Sequence, residues 1–206
     1  MKNNKNILIA GCEGRVGQAT AKLFHENGWN VIGLDIVSES KSSDIDKYIS
    51  CDIKSEKDVL HAVSSIEEEY GLDALLNTAG YEISSSFEET SIDTWSGLLD
   101  TILGGSANLC SAVAPYMVKR HSGKIILLSS DYSKQDGDNI MNSVAAGTLH
   151  GFSKSFGVEM APENVLVNTL SVKTPFVPEA VADAVFYLAD KDTYTSAQVI
   201  SVTGEL

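Results

Sequence analysis

One stretch restricts the possible fold more than any other: Ile7-Leu8-Ile9-Ala10-Gly11-Cys12-Glu13-Gly14-Arg15-Val16-Gly17. A short apolar strand enters glycines spaced three apart and continues into a helix-like run, Gln18 to Asn27. That arrangement lets backbone amides and a helix N-terminus approach a pyrophosphate. Each glycine has its own task. The first makes a tight turn, the second removes a side chain where a phosphate must come close, and the third lets helix pack on strand. The next apolar run, Asn30-Val31-Ile32-Gly33-Leu34-Asp35, ends in a carboxylate roughly 20 residues beyond the glycines, where an acid holds a ribose 2′-hydroxyl. The sequence thus points to a nucleotide site built on its first two strands.

The rest of the chain repeats the alternation. Tyr48 to Cys51 reads as a strand, and Ser55 with Asp58 resembles a capping box. The helix it starts should run to about Tyr70, bury Val59, Ala62, Val63 and Ile66, and stop at Gly71. Ala74 to Asn77 is a strand closing on Thr78-Ala79-Gly80. A long helical region follows from about Ile92 to His121, whose last turns Pro115 is expected to kink or break. Further strands are expected at Lys124 to Ser129, Val165 to Leu170 and Gln198 to Val202, and helices at Asn142 to Met160 and Glu179 to Ala189.

Near-continuous apolar strands between amphipathic helices predict a doubly wound parallel α/β sheet with helices on both faces, about seven strands in one domain spanning 1–206. Ligands of such sheets sit at the carboxyl ends of the strands, where strand order reverses. Gly11 to Gly17, Asp35, Asp52, Asn77 to Gly80, Ser129 to Tyr132 and Ser171 to Thr174 are thereby gathered around one crevice.

With 28 acidic against 15 basic residues and a formal charge of −13, the chain is expected to avoid nucleic acid and anionic membranes. A small molecule or another protein is the expected partner. The apolar run behind Met1 to Asn6 stops at Gly11, too short for a signal-peptide core or a membrane span. Cys12, Cys51 and Cys110 are odd in number, far apart and without metal-ligand spacing. A cytoplasmic protein with reduced thiols and no metal site is the expectation. Cys12 reads as a small filler of a tight turn rather than a reactive thiol.

Several motifs in order resemble the short-chain dehydrogenase/reductase family: the glycine turn, the strand ending at Asp35, Cys51-Asp52-Ile53, Asn77-Thr78-Ala79-Gly80, the Trp95 to Met117 helix with its Ala-Pro-x-Met ending, Lys124 to Ser130, and Val167-Asn168. The resemblance covers nearly the whole chain and implies a Rossmann-type sheet that binds a nicotinamide dinucleotide. It places Gly11, Gly14, Arg15, Val16, Gly17, Asp35, Asp52, Ile53, Asn77, Ala79 and Gly80 at the cofactor. Asp52 would meet the adenine amino group, Asn77 would stabilise the central strand, and Gly80 would admit the nicotinamide ribose. Arg15 ranks as a surface or pyrophosphate contact. Asp35 would repel a 2′-phosphate, so NAD is favoured over NADP. The glycine spacing is closer to that of extended or divergent members than to the common short-chain turn.

The same resemblance exposes departures. The family's chemistry uses a tyrosine, a lysine four residues later, a serine and an asparagine. Ser130 stands at the serine position. Counting back from Leu149-His150-Gly151-Phe152-Ser153-Lys154 puts Asn142 at the tyrosine and Ala146 at the lysine, and counting from Trp95 puts Ile102 at the asparagine. Neither Asn nor Ala can supply general acid–base transfer. Tyr187 to Lys191 matches Y-x-x-x-K by accident on the wrong element, with Tyr187 read as a packing residue. The lid that follows the family's Val-Asn strand is missing, and Thr174 is a loose candidate for the nicotinamide carboxamide.

Tyr132 is the best substitute acid, with Asp131, Tyr81 and Lys173 on turns facing the same crevice. His150 is expected to face solvent or a subunit contact. Two function classes follow: an NAD-dependent oxidoreductase with a non-standard acid, either Tyr132 or water on Ser130, and a non-catalytic nucleotide-sensing or structural subunit. An ionisable group within reach of Ser130 separates them. The resemblance also implies a homodimer or homotetramer formed through the long helix and the Asn142 to Met160 helix, with Gly104, Gly105, Ala107, Ala145 and Ala146 allowing close approach.

Overall fold

Apolar runs flanked by turn residues become strands in the computed structural model, which describes residues 4–130, 140–173 and 175–203. The strands are β1 (Asn6–Ala10), β2 (Asn30–Asp35), β3 (Lys47–Ser50), β4 (Ala74–Asn77), β5 (Gly123–Ser130), β6 (Val165–Lys173) and β7 (Gln198–Thr203). They form one sheet in the order β3-β2-β1-β4-β5-β6-β7, and every pairing is parallel. Strand order reverses between β1 and β4, which opens a crevice at their carboxyl ends.

Burial on both faces explains the unbroken apolar character of the central strands. Alternate side chains go to opposite faces. Leu8, Ile32, Leu75, Ile125 and Val167 pack with Val59 and Ile66 of α2 (Glu56–Glu69) and Leu109 and Val113 of α4 (Gly105–Arg120). Leu149 of α5 (Ile140–Met160) joins the same cluster. Ile7, Ile9, Val31, Leu76 and Ile126 pack with Phe24 of α1 (Arg15–Glu26) and Val185 and Leu188 of α6 (Pro178–Asp190).

Half of the capping box is present: the Ser55 hydroxyl accepts the Asp58 N–H while the Ser55 N–H donates to the Asp52 carbonyl, and Val59, Ala62, Val63 and Ile66 are the buried stripe of α2. Gly71 leaves the helix at φ +73°, a conformation that favours glycine.

The long helical region differs from expectation. It begins as α3 (Ile92–Leu99), passes through a π-helical turn at Asp100–Gly104, where the Gly105 N–H reaches the Asp100 carbonyl, and continues as α4. Pro115 does not break α4, which runs on to Arg120 and ends at His121 with φ 49°. The distortion sits at the π-turn instead, beside the crevice, where such turns often occur. β6 is longer than predicted: Ser171, Val172 and Lys173 extend the ladder, Val172 opposite Ser130. Only residues 174–177 join β6 to α6.

Three of the small residues expected at a subunit contact are buried within the chain. Gly105 lies under Ile53, and Ala145 and Ala146 face inward. Close approach there seats α4 on Ile53 in the turn after β3, and α5 on Ile83 and Leu98. Tyr187 is also corrected: it is 57% exposed on α6 and packs into no core. None of the described helices is long and apolar enough to cross a membrane.

Candidate functional site

At the strand-order reversal, two adjoining hollows of about 460 and 290 Å³ share Gly14, Thr78, Ala79, Gly80 and Tyr81 on their walls. The glycine turn forms their common floor. Gly11 has φ +79°, and a Cβ there would lie 2.6 Å from Thr78 Oγ1 and 2.7 Å from the Ala79 nitrogen. A Cβ on Gly17 would lie 2.2 Å from the Gly11 carbonyl oxygen, so this glycine seats α1 against the turn and lines neither hollow. Gly14 borders both hollows, and a Cβ there would meet only the Gly11 oxygen, at 3.3 Å. It is the N-cap of α1 with no side-chain cap, so the first-turn amides have no side-chain acceptor. A helix start of this kind attracts an anion.

The larger hollow contains Asp35, Asp52 and Ile53 together. Asp35 accepts the Glu13 and Ile36 N–H groups at 3.0 and 2.8 Å, which fixes its carboxylate at the end of β2. Glu13 lines the same hollow and accepts a hydrogen bond from Ser40 Oγ at 2.5 Å. Two carboxylates therefore face the space beside the glycine turn. Asp52 accepts the Lys54 N–H at 3.0 Å, and Asn108 ties the Ile53 carbonyl at 2.9 Å.

Asn77 is buried and lines neither hollow. Its Nδ2 donates to Ser106 Oγ at 2.9 Å, its Oδ1 accepts the Ala79 N–H at 3.0 Å, and Ser106 Oγ donates to the Ile102 carbonyl at 2.6 Å. Central strand, π-turn and the Ala79-Gly80 wall are locked as one unit. Cys12 is fully buried with its sulfur against Gly33, and burial first, then Asp35 and Glu13, pushes its thiol up to about 12. A protonated thiol is a poor nucleophile, which fits the filler role.

Ser130, Asn142, Ala146, Ile102, Arg15 and Val16 all line the smaller hollow. Arg15 lies over the Phe176 ring at 5.1 Å. Asn142 is 7% exposed, and its side chain is used on the loop after β4: Oδ1 accepts the Ile83 N–H at 3.0 Å and Nδ2 donates to the Ile83 carbonyl at 2.9 Å. Ser130 Oγ donates to Glu82 Oε1 at 3.1 Å.

Glu82 was missed at the sequence level, although it stands two residues past Gly80 at the carboxyl end of β4, where side chains face the crevice. His150 is corrected. It is half-buried, with Nε2 and Ser129 Oγ 2.7 Å apart, rather than turned to solvent. Lys173 ends β6 and lines neither hollow. Asp131, Tyr132 and Thr174 lie outside the described residues.

The sequence model described as short chain dehydrogenase matches residues 5–182. The chain belongs to the short-chain dehydrogenase family. It is similar to the 3-oxoacyl-[acyl-carrier-protein] reductase of Chlamydia muridarum, with 30% identity over 239 aligned positions that cover 98% of this chain and 96% of the relative. Those positions outnumber the 206 residues here, so the difference lies in internal gaps. ElxO with NADP bound superposes with a TM-score of 0.90 at 21% identity, covering 98% of each chain. NAD+-bound xylitol dehydrogenase gives 0.89 at 20%, covering all of each chain. At those identities the two structures speak for the short-chain dehydrogenase fold alone.

Proposed function

We propose that this protein is an NAD(H)-binding oxidoreductase of the short-chain dehydrogenase type whose proton chemistry does not run through a tyrosine and lysine pair. The observation that carries the reading is Gly14. It borders both hollows at the uncapped start of α1, with Asp35 on the adjoining wall.

These residues fit a dinucleotide. The amides of Arg15 and Val16 would hold the pyrophosphate, Asp35 the adenosine ribose, Asp52 and Ile53 the adenine, and Ala79 and Gly80 the wall beside the nicotinamide ribose, with Gly17 acting only by seating α1. When bound, the nicotinamide supplies hydride transfer. Asp35 and Glu13 together support NAD over NADP by charge repulsion toward a 2′-phosphate. NAD and NADP each occur among the structural neighbours, so the preference rests on these two carboxylates.

Asn142 and Ala146 stand at the tyrosine and lysine positions in this reading. The amide of Asn142 is engaged by Ile83 and cannot ionise, and Ala146 has no polar side chain. Ser130 is retained to orient a substrate oxygen. Tyr132, or water on Ser130, is the substitute acid expected from the sequence. Short closure between β6 and α6 leaves the smaller hollow less shielded from water, which weakens chemistry that needs a dry site.

The competing assignment is a nucleotide-sensing or structural subunit. Calorimetric titration with NAD, NADH and NADP, followed by a panel of alcohols and ketones with the preferred dinucleotide, decides between them. Heat with turnover supports the oxidoreductase, and heat without turnover supports the sensor. Absence of heat with all three dinucleotides at millimolar concentration removes both. A homodimer or homotetramer is the expected assembly, and a single-subunit sedimentation mass at micromolar concentration counts against it.

A further inference from the structure

We propose that Glu82 is the base of this crevice, taking a substrate proton together with Ser130, and that Asn142 has become the residue that positions it. The inference rests on the dinucleotide reading above.

Three ionisable side chains line the smaller hollow among the described residues: Arg15, Tyr81 and Glu82. Arg15 carries a guanidinium, which offers donors and no acceptor, and lies over Phe176. The Tyr81 hydroxyl lies over α3, so close that a Cβ on Gly97 would be 3.3 Å from it. Only Glu82 meets Ser130, with Oε1 accepting the hydroxyl proton at 3.1 Å. In that geometry the lone pairs of Ser130 Oγ remain for a second donor, and the hollow is where a substrate hydroxyl would stand.

Glu82 is itself exposed, and its backbone is held from the C-terminal side. Ile83, the next residue, is pinned through its N–H and its carbonyl by Asn142, and its side chain is buried with Leu98, Met141 and Ala145. A loop glutamate is thereby brought to the end of β5 by the side chain at position 142. An amide suits this task because it donates and accepts at once, matching a peptide group. A tyrosine hydroxyl cannot make both bonds in the same plane.

The chemistry balances for alcohol oxidation. The substrate C–H bond breaks with its electron pair passing as hydride to an oxidised nicotinamide dinucleotide. The substrate O–H proton goes to Ser130 Oγ as the serine proton passes to Glu82, and a carbonyl forms. Protonated Glu82 then returns its proton to water, which reaches its exposed side chain. Carboxylates in general act as bases across the neutral range where phenols act as acids. The pair is suited to removing a proton from an alcohol rather than supplying one to a ketone.

The test uses the full chain and compares wild type, Glu82→Ala, Glu82→Gln, Ser130→Ala and Asn142→Ala. NAD affinity is measured by calorimetry, NADH formation from a panel of secondary alcohols and polyols between pH 6 and 10, and amide exchange at Ile83 without dinucleotide. General-base removal typically costs ~10² to 10⁴ in rate. Glu82→Ala should lose at least a hundredfold in kcat with NAD affinity within threefold, and added formate should restore turnover at least tenfold. A structural role would not respond to formate. Asn142→Ala should speed Ile83 exchange at least tenfold, and Glu82→Gln should leave it unchanged.

Turnover in Glu82→Ala within threefold of wild type overturns the assignment. So does a wild-type protein that binds NAD but oxidises nothing on the panel, which leaves the dinucleotide reading intact. If no dinucleotide binds, the dinucleotide reading fails first, and unchanged Ile83 exchange in Asn142→Ala then separately overturns the positioning role.

Discussion

The side-chain amide of Asn142 on α5 closes on both backbone groups of Ile83, 3.0 Å from its nitrogen and 2.9 Å from its oxygen. This makes a loop behave like a strand added beside a helix. Ile83 is buried, so Asn142→Ala leaves a donor and an acceptor without partners, at about 1–3 kcal/mol for each such group. Urea unfolding should show the two together, a loss of about 2–6 kcal/mol. Placing Tyr at 142 with Lys at 146 should destabilise at least as much, because the clamp on Ile83 is lost and a lysine at the buried position 146 must reach through the smaller hollow. A double variant as stable as wild type would show that the clamp contributes little.

Charge at the glycine turn sets the second expectation. With Glu13 and Asp35 on one wall, NADP should bind at least about tenfold more weakly than NAD, or about 1.4 kcal/mol. Asp35→Ser should narrow that gap chiefly by improving NADP. Calorimetry with both dinucleotides gives the ratio, and equal affinities for wild type would remove the charge argument.

Gly14 and Gly11 should separate under alanine substitution. Gly14 has an ordinary φ of −72° and a single close neighbour, so Gly14→Ala should cost less than about 1 kcal/mol of stability while lowering dinucleotide affinity. Gly11→Ala meets positive φ and contacts below 3 Å, so its thermal midpoint should fall sharply. Two indistinguishable melting curves would contradict this division.

The three thiols supply a pH prediction. Burial pushes Cys110 up to about 12, and burial with Asp35 and Glu13 does the same to Cys12, from an ordinary 9.0. Between pH 9 and about 12 the unfolded chain has lost these protons while the folded chain keeps them. The folded state binds more protons there, so stability falls as pH rises through that window and is untouched below it. At pH 10 Cys12 and Cys110 should each contribute about 1.4 kcal/mol of that fall. Urea midpoints at pH 8 and 10 should drop less for Cys110→Ala than for wild type. Ellman's reagent should find no reactive thiol until the protein unfolds.

Legibility in the sequence followed the range of the interactions. Gly11, Gly14 and Gly17 announced the turn because backbone geometry admits few alternatives there, and the stripe of α2 was readable because Val59, Ala62, Val63 and Ile66 recur at helical spacing. Strand and helix ends shifted by a few residues, and β6 continued to Lys173 because pairing with β5 as far as Val172 and with β7 at Lys173 outweighs local polarity at Ser171. Pro115 misled because α4 tolerates one missing amide on its exposed side. Glu82 and Asn142 were invisible as partners because they lie 60 residues apart in the sequence and meet through Ser130 and Ile83. His150 likewise gave no local sign that Ser129 lay within reach.

The π-turn between Asp100 and Gly104 has a consequence for changes of length. Thr101 borders the larger hollow and Ile102 the smaller, although they are neighbours in the chain. A π-turn takes up about one residue more than an α-helical turn, so removing one of its residues would restore α-helical hydrogen bonding with α3 and α4 nearly in their present phase. Removing one residue from the middle of α4 would instead swing everything before it by about 100° around the helix axis, and Trp95 and Leu98 would leave their contact with Ile83. The extra residue widens the wall of the crevice without changing which face α3 presents, and a deletion should be borne inside the turn far better than beside it.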